Sequence, residues 1–374
     1  MILGDSVMNV LIAANYGAPK SGNFVASLIA LGRRLRKDGS NAYFVFPKQT
    51  DWISWFEREG FTAEVYDFES RSTDEQFAKV TELVEKYGID IIHTHFGMFR
   101  PAIVKNRSKI KNVKILVHDH MGYYVDHSVF LQRIGFALLS AEYAFKKIRV
   151  AAVQKKKTDA YLFLPKKWYV PNGLSLERNV LHSMTREECR AELGLAPEEK
   201  VCFILGWDLK RKGLDTALKA VKKCREKDES IILGIIGAGE GAPTDFAKDF
   251  IKNEGGFDPN EPWIRYFNNF EDMFAVHRAI DVYLSTSRQE GFPYGILEAI
   301  SQDSPIVASD IVSQLWASEY TNCRFYPVED PDKCAEAILD ALAQGRCETN
   351  SAQIIDRYSV DRWCDKIVSI YNEL

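Results

Sequence analysis

Glu290 and Glu298 stand with seven residues between them in the stretch Glu290-Gly291-Phe292-Pro293-Tyr294-Gly295-Ile296-Leu297-Glu298-Ala299. On one continuous helix they would be too far apart to share a ligand, but a loop at Gly-Phe-Pro-Tyr-Gly can fold both carboxylates into one pocket. Each can then accept hydrogen bonds from a different hydroxyl group. The backbone of Phe292, Pro293, Tyr294, Gly295 and Ile296 would meet phosphate oxygens at the start of the following helix. A sugar nucleotide carries both kinds of group. The bland alternative is one loop acid and one solvated helix acid.

Other segments have related chemistry. Gly206-Trp207-Asp208-Leu209-Lys210-Arg211-Lys212-Gly213 joins an apolar run to an amphipathic pattern. Its three successive cations suit a departing diphosphate, which needs fixed positive charge where negative charge develops, and they also suit an exposed basic turn. Gly237, Gly239 and Gly241 make a further glycine loop, compatible with a close ligand or an ordinary turn. Near the start of the chain, Gly17, Ser21, Gly22 and Asn23 lie directly before a helical pattern and read either as a structural turn or as an acceptor or phosphate loop. This loop matches neither G-x-G-x-x-G nor a nucleoside-triphosphate loop ending in G-K-[ST]. His118 ends an apolar run and is placed to donate to a sugar hydroxyl or to move a proton near neutral pH. His93, His95, His118 and His120 form two i, i+2 pairs, but no cysteine completes a zinc pattern and strand-end histidines need not converge. No metal is expected.

These segments require a scaffold of alternating strands and helices. Val7 to Ala14, Ala42 to Phe46, Ile89 to His93 and Val113 to Val117 read as buried strands, with an extended run near Phe61 to Tyr66. Helical patterns cover Phe24 to Lys37 and Thr73 to Tyr87, and a basic helical segment covers Phe130 to Lys157. Ala160 to Phe163 and Trp168 to Val170 follow as short strands. After Pro171-Asn172-Gly173 and a Glu-rich segment, a second series runs from the strand Val201 to Leu205 to the strand Ile306 to Ala308, with closing helices at Lys333 to Ala343 and Val360 to Leu374. The pattern predicts an α/β chain with two doubly wound parallel sheets, whose ligands would lie at the C-terminal ends of the strands. The expected division is residues 1–185, residues 186–355, and a helix at 356–374 crossing back to the first domain.

The chain's 374 residues, 46% hydrophobic and 27% charged, are enough for two cores and exclude a disordered tail. No run approaches the roughly 20 apolar residues of a spanning helix, and no secretory leader is apparent, so a cytoplasmic protein is expected. The seven cysteines, with no C-x-x-C, read as reduced thiols. The net charge of −4 conceals an asymmetry: residues 1–180 hold 26 Lys+Arg against 18 Asp+Glu, and residues 100–170 hold 15 against 4. This basic half suggests an anionic partner, such as a lipid diphosphate or the inner face of a membrane. It lacks the aromatic interleaving of a nucleic-acid platform, so no nucleic acid is expected.

The stretches Tyr169 to Gly173, Trp207 to Leu214, Asp281 to Ser287 and Glu290 to Ala299, the last an E-x7-E motif, resemble the family 4 glycosyltransferases of GT-B fold. The resemblance implies two Rossmann-like domains facing a cleft and a retaining sugar transfer without cofactor, from a nucleotide-diphosphate sugar to a glycan or lipid-linked acceptor in polysaccharide or glycolipid synthesis. It further implies that Glu298 contacts the donor ribose, Glu290 the transferred sugar and Lys212 the diphosphate, with His118-Asp119 near the hexose. Two departures stand out. Trp207 occupies a position where many relatives carry arginine, which leaves Arg211, then Lys210, as the second phosphate cation. Leu164-Pro165-Lys166-Lys167 also shortens a segment that relatives commonly extend. A nonhydrolysing sugar-nucleotide epimerase and a noncatalytic nucleotide- or glycan-binding protein are the alternatives.

Overall fold

The computed structural model describes residues 7–121, 129–205, 208–237, 242–268, 270, 272–347 and 349–374, without the side chains of 129–133 and 242. Gly206, Trp207, Gly239 and Gly241 lie outside the described residues. The chain divides into two compact units, residues 1–175 with 359–374, and residues 176–358.

Unit 1 is a seven-stranded, all-parallel sheet built from β1 (Asn9–Ala14), β2 (Asn41–Phe46), β3 (Thr62–Val65), β4 (Ile91–His95), β5 (Lys114–Asp119), β6 (Ile148–Ala152) and β7 (Lys167–Tyr169). Its order is β3-β2-β1-β4-β5-β6-β7. The central strands are buried on both faces, as a sheet covered by helices on both sides requires, although β4 and β5 carry polar residues at their C-terminal ends. Unit 2 repeats the plan with β8 (Lys200–Leu205), β9 (Ile231–Ile236), β10 (Ile264–Phe267), β11 (Val282–Ser285), β12 (Ile306–Ser309) and β13 (Cys323–Tyr326), ordered β10-β9-β8-β11-β12-β13. Chain order reverses between β1 and β4 in unit 1 and between β8 and β11 in unit 2, the position at which sheets of this kind take ligands.

Local chemistry sets the helices. Thr73–Tyr87 starts at a Ser72/Glu75 capping box and stops at Gly88, which takes the left-handed conformation a side chain disfavours. Val360–Glu373 buries Trp363, Cys364, Ile367, Val368, Ile370 and Tyr371 along one stripe and packs on Asn23–Lys37 within unit 1. Gly173 lets the chain pass this helix, since a Cβ there would stand 2.6 Å from that of Trp363.

The structure differs from the expected elements at several points. The basic segment 130–157 is not one helix. The helix Val129–Phe145 is followed by β6 and then by the helix Lys155–Ala160, because the run Ile148-Arg149-Val150-Ala151-Ala152 is buried between β5 and β7. No strand forms at 160–163, where that helix ends in a turn at Tyr161. Cys323–Tyr326 adds an edge strand to unit 2. The units part at 175/176 rather than 185/186 because residues 176–184 are bound into unit 2. Leu181 N–H donates to Asp272 Oδ2 at 2.8 Å, and Arg278 donates to the Leu181 carbonyl at 2.7 Å and to Asn179 Oδ1 at 3.0 Å. The second division falls at 358/359 rather than 355/356, since Tyr358 packs with Phe292 and Trp316 of unit 2.

Candidate functional site

β8 and β11 are hydrogen-bonded neighbours, with Cys202 opposite Val282 and Phe203 opposite Tyr283. The loops that follow them therefore meet at the crevice of unit 2. The β8 loop turns at Gly213, whose φ of +70° suits glycine and whose added Cβ would lie 2.2 Å from the Thr286 carbonyl oxygen. Thr286 Oγ1 closes this crossing by donating to the Lys212 carbonyl at 2.7 Å, and Arg288 N–H donates to the Arg211 carbonyl at 2.8 Å. The crossing brings three of the expected site residues together. Lys212 Nζ lies 2.5 Å and Arg211 Nη1 3.2 Å from Glu290 Oε1, which also accepts from Ser287 Oγ at 2.8 Å. The Glu290 side chain is only 9% exposed. Burial favours its neutral form, but Lys212, Arg211 and Ser287 outweigh that and hold its carboxyl below the ordinary glutamate range. The result is a buried carboxylate under two cations, a charge arrangement that an incoming phosphate can rearrange.

Glu298 is also buried, on the helix Tyr294–Ser301. Arg178 Nη1 stands 3.8 Å from its Oε1 and His277 Nε2 3.9 Å from its Oε2. Burial drives the His277 pKa down to about 3, with Arg346 adding to the effect, so this histidine is neutral and Arg178 is the cation beside Glu298. Tyr283 joins the two halves of the motif. Its pKa is raised by burial and then by the charges of Glu290 and Glu298, and its hydroxyl leaves no room for a Cβ at Gly295.

The residues between the two glutamates differ in what they offer. Phe292 is buried with its ring stacked on Trp316 at 4.4 Å, so its side chain packs the core and leaves only backbone for a ligand. Pro293 has no N–H and cannot donate to phosphate as expected. It precedes the helix in extended conformation and provides no side-chain cap. Tyr294, Gly295 and Ile296 are the first residues of that helix, where backbone N–H groups lack intrahelical acceptors.

In unit 1, β4 and β5 pair with His95 opposite His118. Four histidines converge at these strand ends, against the expectation that such residues need not meet. His93 Nε2 lies 3.2 Å from His118 Nδ1, His95 Nδ1 lies 2.8 Å from His120 Nε2, and the His118 and His120 rings stack at 4.3 Å. All four are buried. Burial depresses their pKa values, that of His118 to about 4 despite partial compensation from the Val170 backbone and Asp119, so all four are neutral at pH 7. His118 therefore presents as a neutral imidazole rather than a group titrating near 7. Its neighbour Asp119 accepts from Lys157 Nζ at 2.7 Å and from Tyr161 Oη at 2.8 Å, contacts that no local sequence signal announces.

The loop at Gly17, Ser21, Gly22 and Asn23 caps the helix Asn23–Lys37 through Gly22, which makes no side-chain cap. Asn23 is buried and its Oδ1 accepts from Ser175 N–H at 3.1 Å, a contact that ties the loop to the 173–175 turn. Ser21 is buried, and a Cβ at Gly17 would meet the Lys48 side chain. Arg178 was missed by sequence reasoning. Nothing local marks it, because its partner lies 120 positions along the chain.

Residues 198–344 match the family model described as "Glycosyl transferases group 1". The putative teichuronic acid biosynthesis glycosyltransferase TuaC of Bacillus subtilis (strain 168) is 23% identical over 68% of this chain. The matched stretch spans 61% of TuaC, less than two thirds of that protein. The uncharacterized glycosyltransferase MJ1607 of Methanocaldococcus jannaschii is 22% identical over 77% of this chain and 76% of its own. Among solved structures, Anabaena Alr3699/HepE in complex with UDP-glucose superimposes with a TM-score of 0.75 at 17% identity, covering 98% of this chain and 100% of that one. Among the described residues, no helix is long and apolar enough to cross a membrane. Residues 198–344 thus match a glycosyltransferase family model, and the two parallel-sheet units match the GT-B architecture of the similar solved structures.

Proposed function

We propose that the protein transfers a hexosyl or related sugar, with retention of configuration, from a nucleotide-diphosphate sugar to a glycan or lipid-linked acceptor in polysaccharide or glycolipid synthesis. The observation that carries this reading is the meeting of Arg211, Lys212 and Glu290, on a loop that runs into the helix bearing Glu298. Before a donor arrives, Glu290 pairs with both cations. A diphosphate entering the crevice competes for Lys212 and Arg211, and the N–H groups of Tyr294, Gly295 and Ile296 supply further donors at the helix terminus. Glu290 then turns to the transferred sugar and Glu298 to the ribose. As the bond to phosphate breaks, the cations stabilise the departing charge, and the leaving phosphate takes the proton of the acceptor hydroxyl on the same face. His118 orients the hexose as a neutral hydrogen-bonding group. The complex of Alr3699/HepE with UDP-glucose supports this donor class, and the likeness to TuaC, named as a teichuronic acid biosynthesis glycosyltransferase, supports a polysaccharide product.

The acceptor side includes a peripheral contact with anionic membrane. Leu138, Phe145, Leu162 and Phe163 are exposed on unit 1, and Lys147, Lys155, Lys156 and Lys166, also exposed, lie near them along the chain. Exposed apolar residues among lysines suit a headgroup interface. Vesicle pelleting is expected to show binding to anionic vesicles at low salt that weakens as salt rises, and equal binding to neutral vesicles would reject the contact.

Donor titration by calorimetry tests the site. Glu298→Gln is expected to weaken nucleotide-sugar binding about tenfold or more, as loss of a charged hydrogen bond does. Unchanged affinity removes Glu298 from the ribose contact.

A further inference from the structure

Unit 1 has an open cleft of about 510 Å³, none of whose residues takes part in the reaction above. One wall is the helix Arg100–Lys105, which contributes Arg100 and Lys105. The other is the end of the helix Val129–Phe145, which contributes Glu142, Tyr143 and, just beyond it, Lys146. The lining thus holds three cations and one carboxylate. Lys146 Nζ lies 2.8 Å from Glu142 Oε1, and Lys105 Nζ lies 2.8 Å from Asp74 Oδ1 in a pair exposed on both sides, the kind that holds only loosely. Arg100 is exposed and forms no ion pair among the described residues. Tyr143 distinguishes this cleft from an ordinary basic surface. The residue is 0% exposed, yet its hydroxyl has no hydrogen-bond partner. Buried hydroxyls nearly always have one, so an orphan requires an explanation. Burial pushes its pKa up to about 12, so at neutral pH it keeps its proton and can donate. Of the charges acting on it, that of Arg100 is the strongest, which makes guanidinium and hydroxyl neighbours within the lining.

We propose that Arg100 and Tyr143, with Lys105 and Lys146 beside them, bind a phosphate monoester in this cleft. Charge selects the ligand class. Three cations against one carboxylate leave two positive charges, which match the roughly −1.5 to −2 that a phosphate monoester carries at pH 7. The planar guanidinium suits two phosphate oxygens at once, and the hydroxyl and ammonium donors suit the remaining one. A lipid that presents the phosphate also finds apolar surface on the same helix, where Leu138 and Phe145 are 68% and 88% exposed. A lipid source rests on the membrane contact proposed above, whereas the phosphate site itself does not.

The full-length protein is tested at fixed ionic strength in two arms. Calorimetry with glycerol phosphate reads the free ligand. Co-sedimentation reads the lipid, with phosphatidylcholine vesicles carrying phosphatidic acid or, adjusted to the same surface potential, phosphatidylglycerol. Binding is expected in at least one arm, weakened about tenfold or more by Arg100→Gln and about threefold or more by Tyr143→Phe. Lys37→Gln, exposed on a different helix, is expected to leave it unchanged. Thermal melts check folding, and Tyr143→Phe should keep the wild-type melting temperature because its hydroxyl has no partner to lose. A preference for phosphatidic acid assigns the site to a lipid headgroup, and glycerol phosphate binding without that preference assigns it to a free phosphate. No binding in either arm, or binding that neither variant weakens, overturns the inference. Equal binding of wild type and both variants to the two anionic vesicles keeps the membrane contact and overturns the phosphate site. Glycerol phosphate binding with no vesicle binding does the reverse.

Discussion

Replacing Lys212 by methionine isolates the electrostatics of the unit 2 cluster. Lys212 and Glu290 are 15% and 9% exposed at their side chains, and their charged atoms stand 2.5 Å apart. Removing one partner of a buried pair costs about 3–5 kcal/mol when the remaining charge is abandoned. Here Arg211 at 3.2 Å and Ser287 at 2.8 Å still hold the carboxylate, so the expected loss is about 1–2 kcal/mol. The effect must depend on pH with a definite sign. The Glu290 carboxyl titrates below its ordinary value in the folded chain, so the unfolded chain binds the proton first. The pair's contribution is therefore complete above the ordinary glutamate pKa and is lost as pH falls through the lower folded value. The difference between wild type and Lys212→Met should be large at pH 7 and shrink below about pH 4. The assay is urea unfolding followed by circular dichroism, fitted to as many transitions as the two units show. Adding Glu290→Gln closes a double-mutant cycle, in which the coupling should account for most of the single-mutant loss. A destabilisation of equal size at both pH values, or a coupling near zero, refutes the argument.

Three further outcomes follow from the geometry. Gly213→Ala should lower stability by more than about 1 kcal/mol because its Cβ would strike the Thr286 carbonyl, whereas Gly256→Ala, also at positive φ but in open space, should cost less; thermal melts of both compare them directly. The unit 1 histidines have depressed pKa values, so the unfolded chain binds more protons below pH 6.5. Stability should then fall by up to about 1.4 kcal/mol per histidine per pH unit as pH drops toward 4, and unfolding curves for His95→Gln should show a shallower slope. Tyr371→Phe removes the hydroxyl beside His93 Nδ1 and should cost about 1–3 kcal/mol in denaturant unfolding at neutral pH, with little change if that contact is immaterial.

The glutamates, the basic turn and the glycines at 213 and 295 are legible in the sequence because each belongs to a short stretch whose residue types carry a local requirement. The alternation of buried runs with amphipathic ones likewise reveals two parallel sheets. What the residues do to one another is not local. Lys212 meets Glu290 only because β8 and β11 are neighbours, although two other strands, β9 and β10, lie between them in the chain. The histidines converge only because the β4–β5 register sets His95 against His118, and a slip of one residue would have sent the set to opposite faces. β6 escapes notice because its five residues are flanked by lysines, and its burial comes from strands on either side. Phe292 has the composition of a ligand loop, yet Trp316 and Tyr358 claim its ring from far along the chain.

The central claim is sugar transfer from a nucleotide-diphosphate donor. The most direct measurement incubates the full-length protein with a panel of nucleotide sugars and with lipid-linked and glycan acceptors, then identifies the products by mass and by the anomeric coupling of the new glycoside. The account predicts release of nucleoside diphosphate together with a glycoside that keeps the donor's anomeric configuration, and loss of both in Lys212→Met. An epimerised donor with no glycoside, or tight donor binding with no turnover against every acceptor, would contradict it.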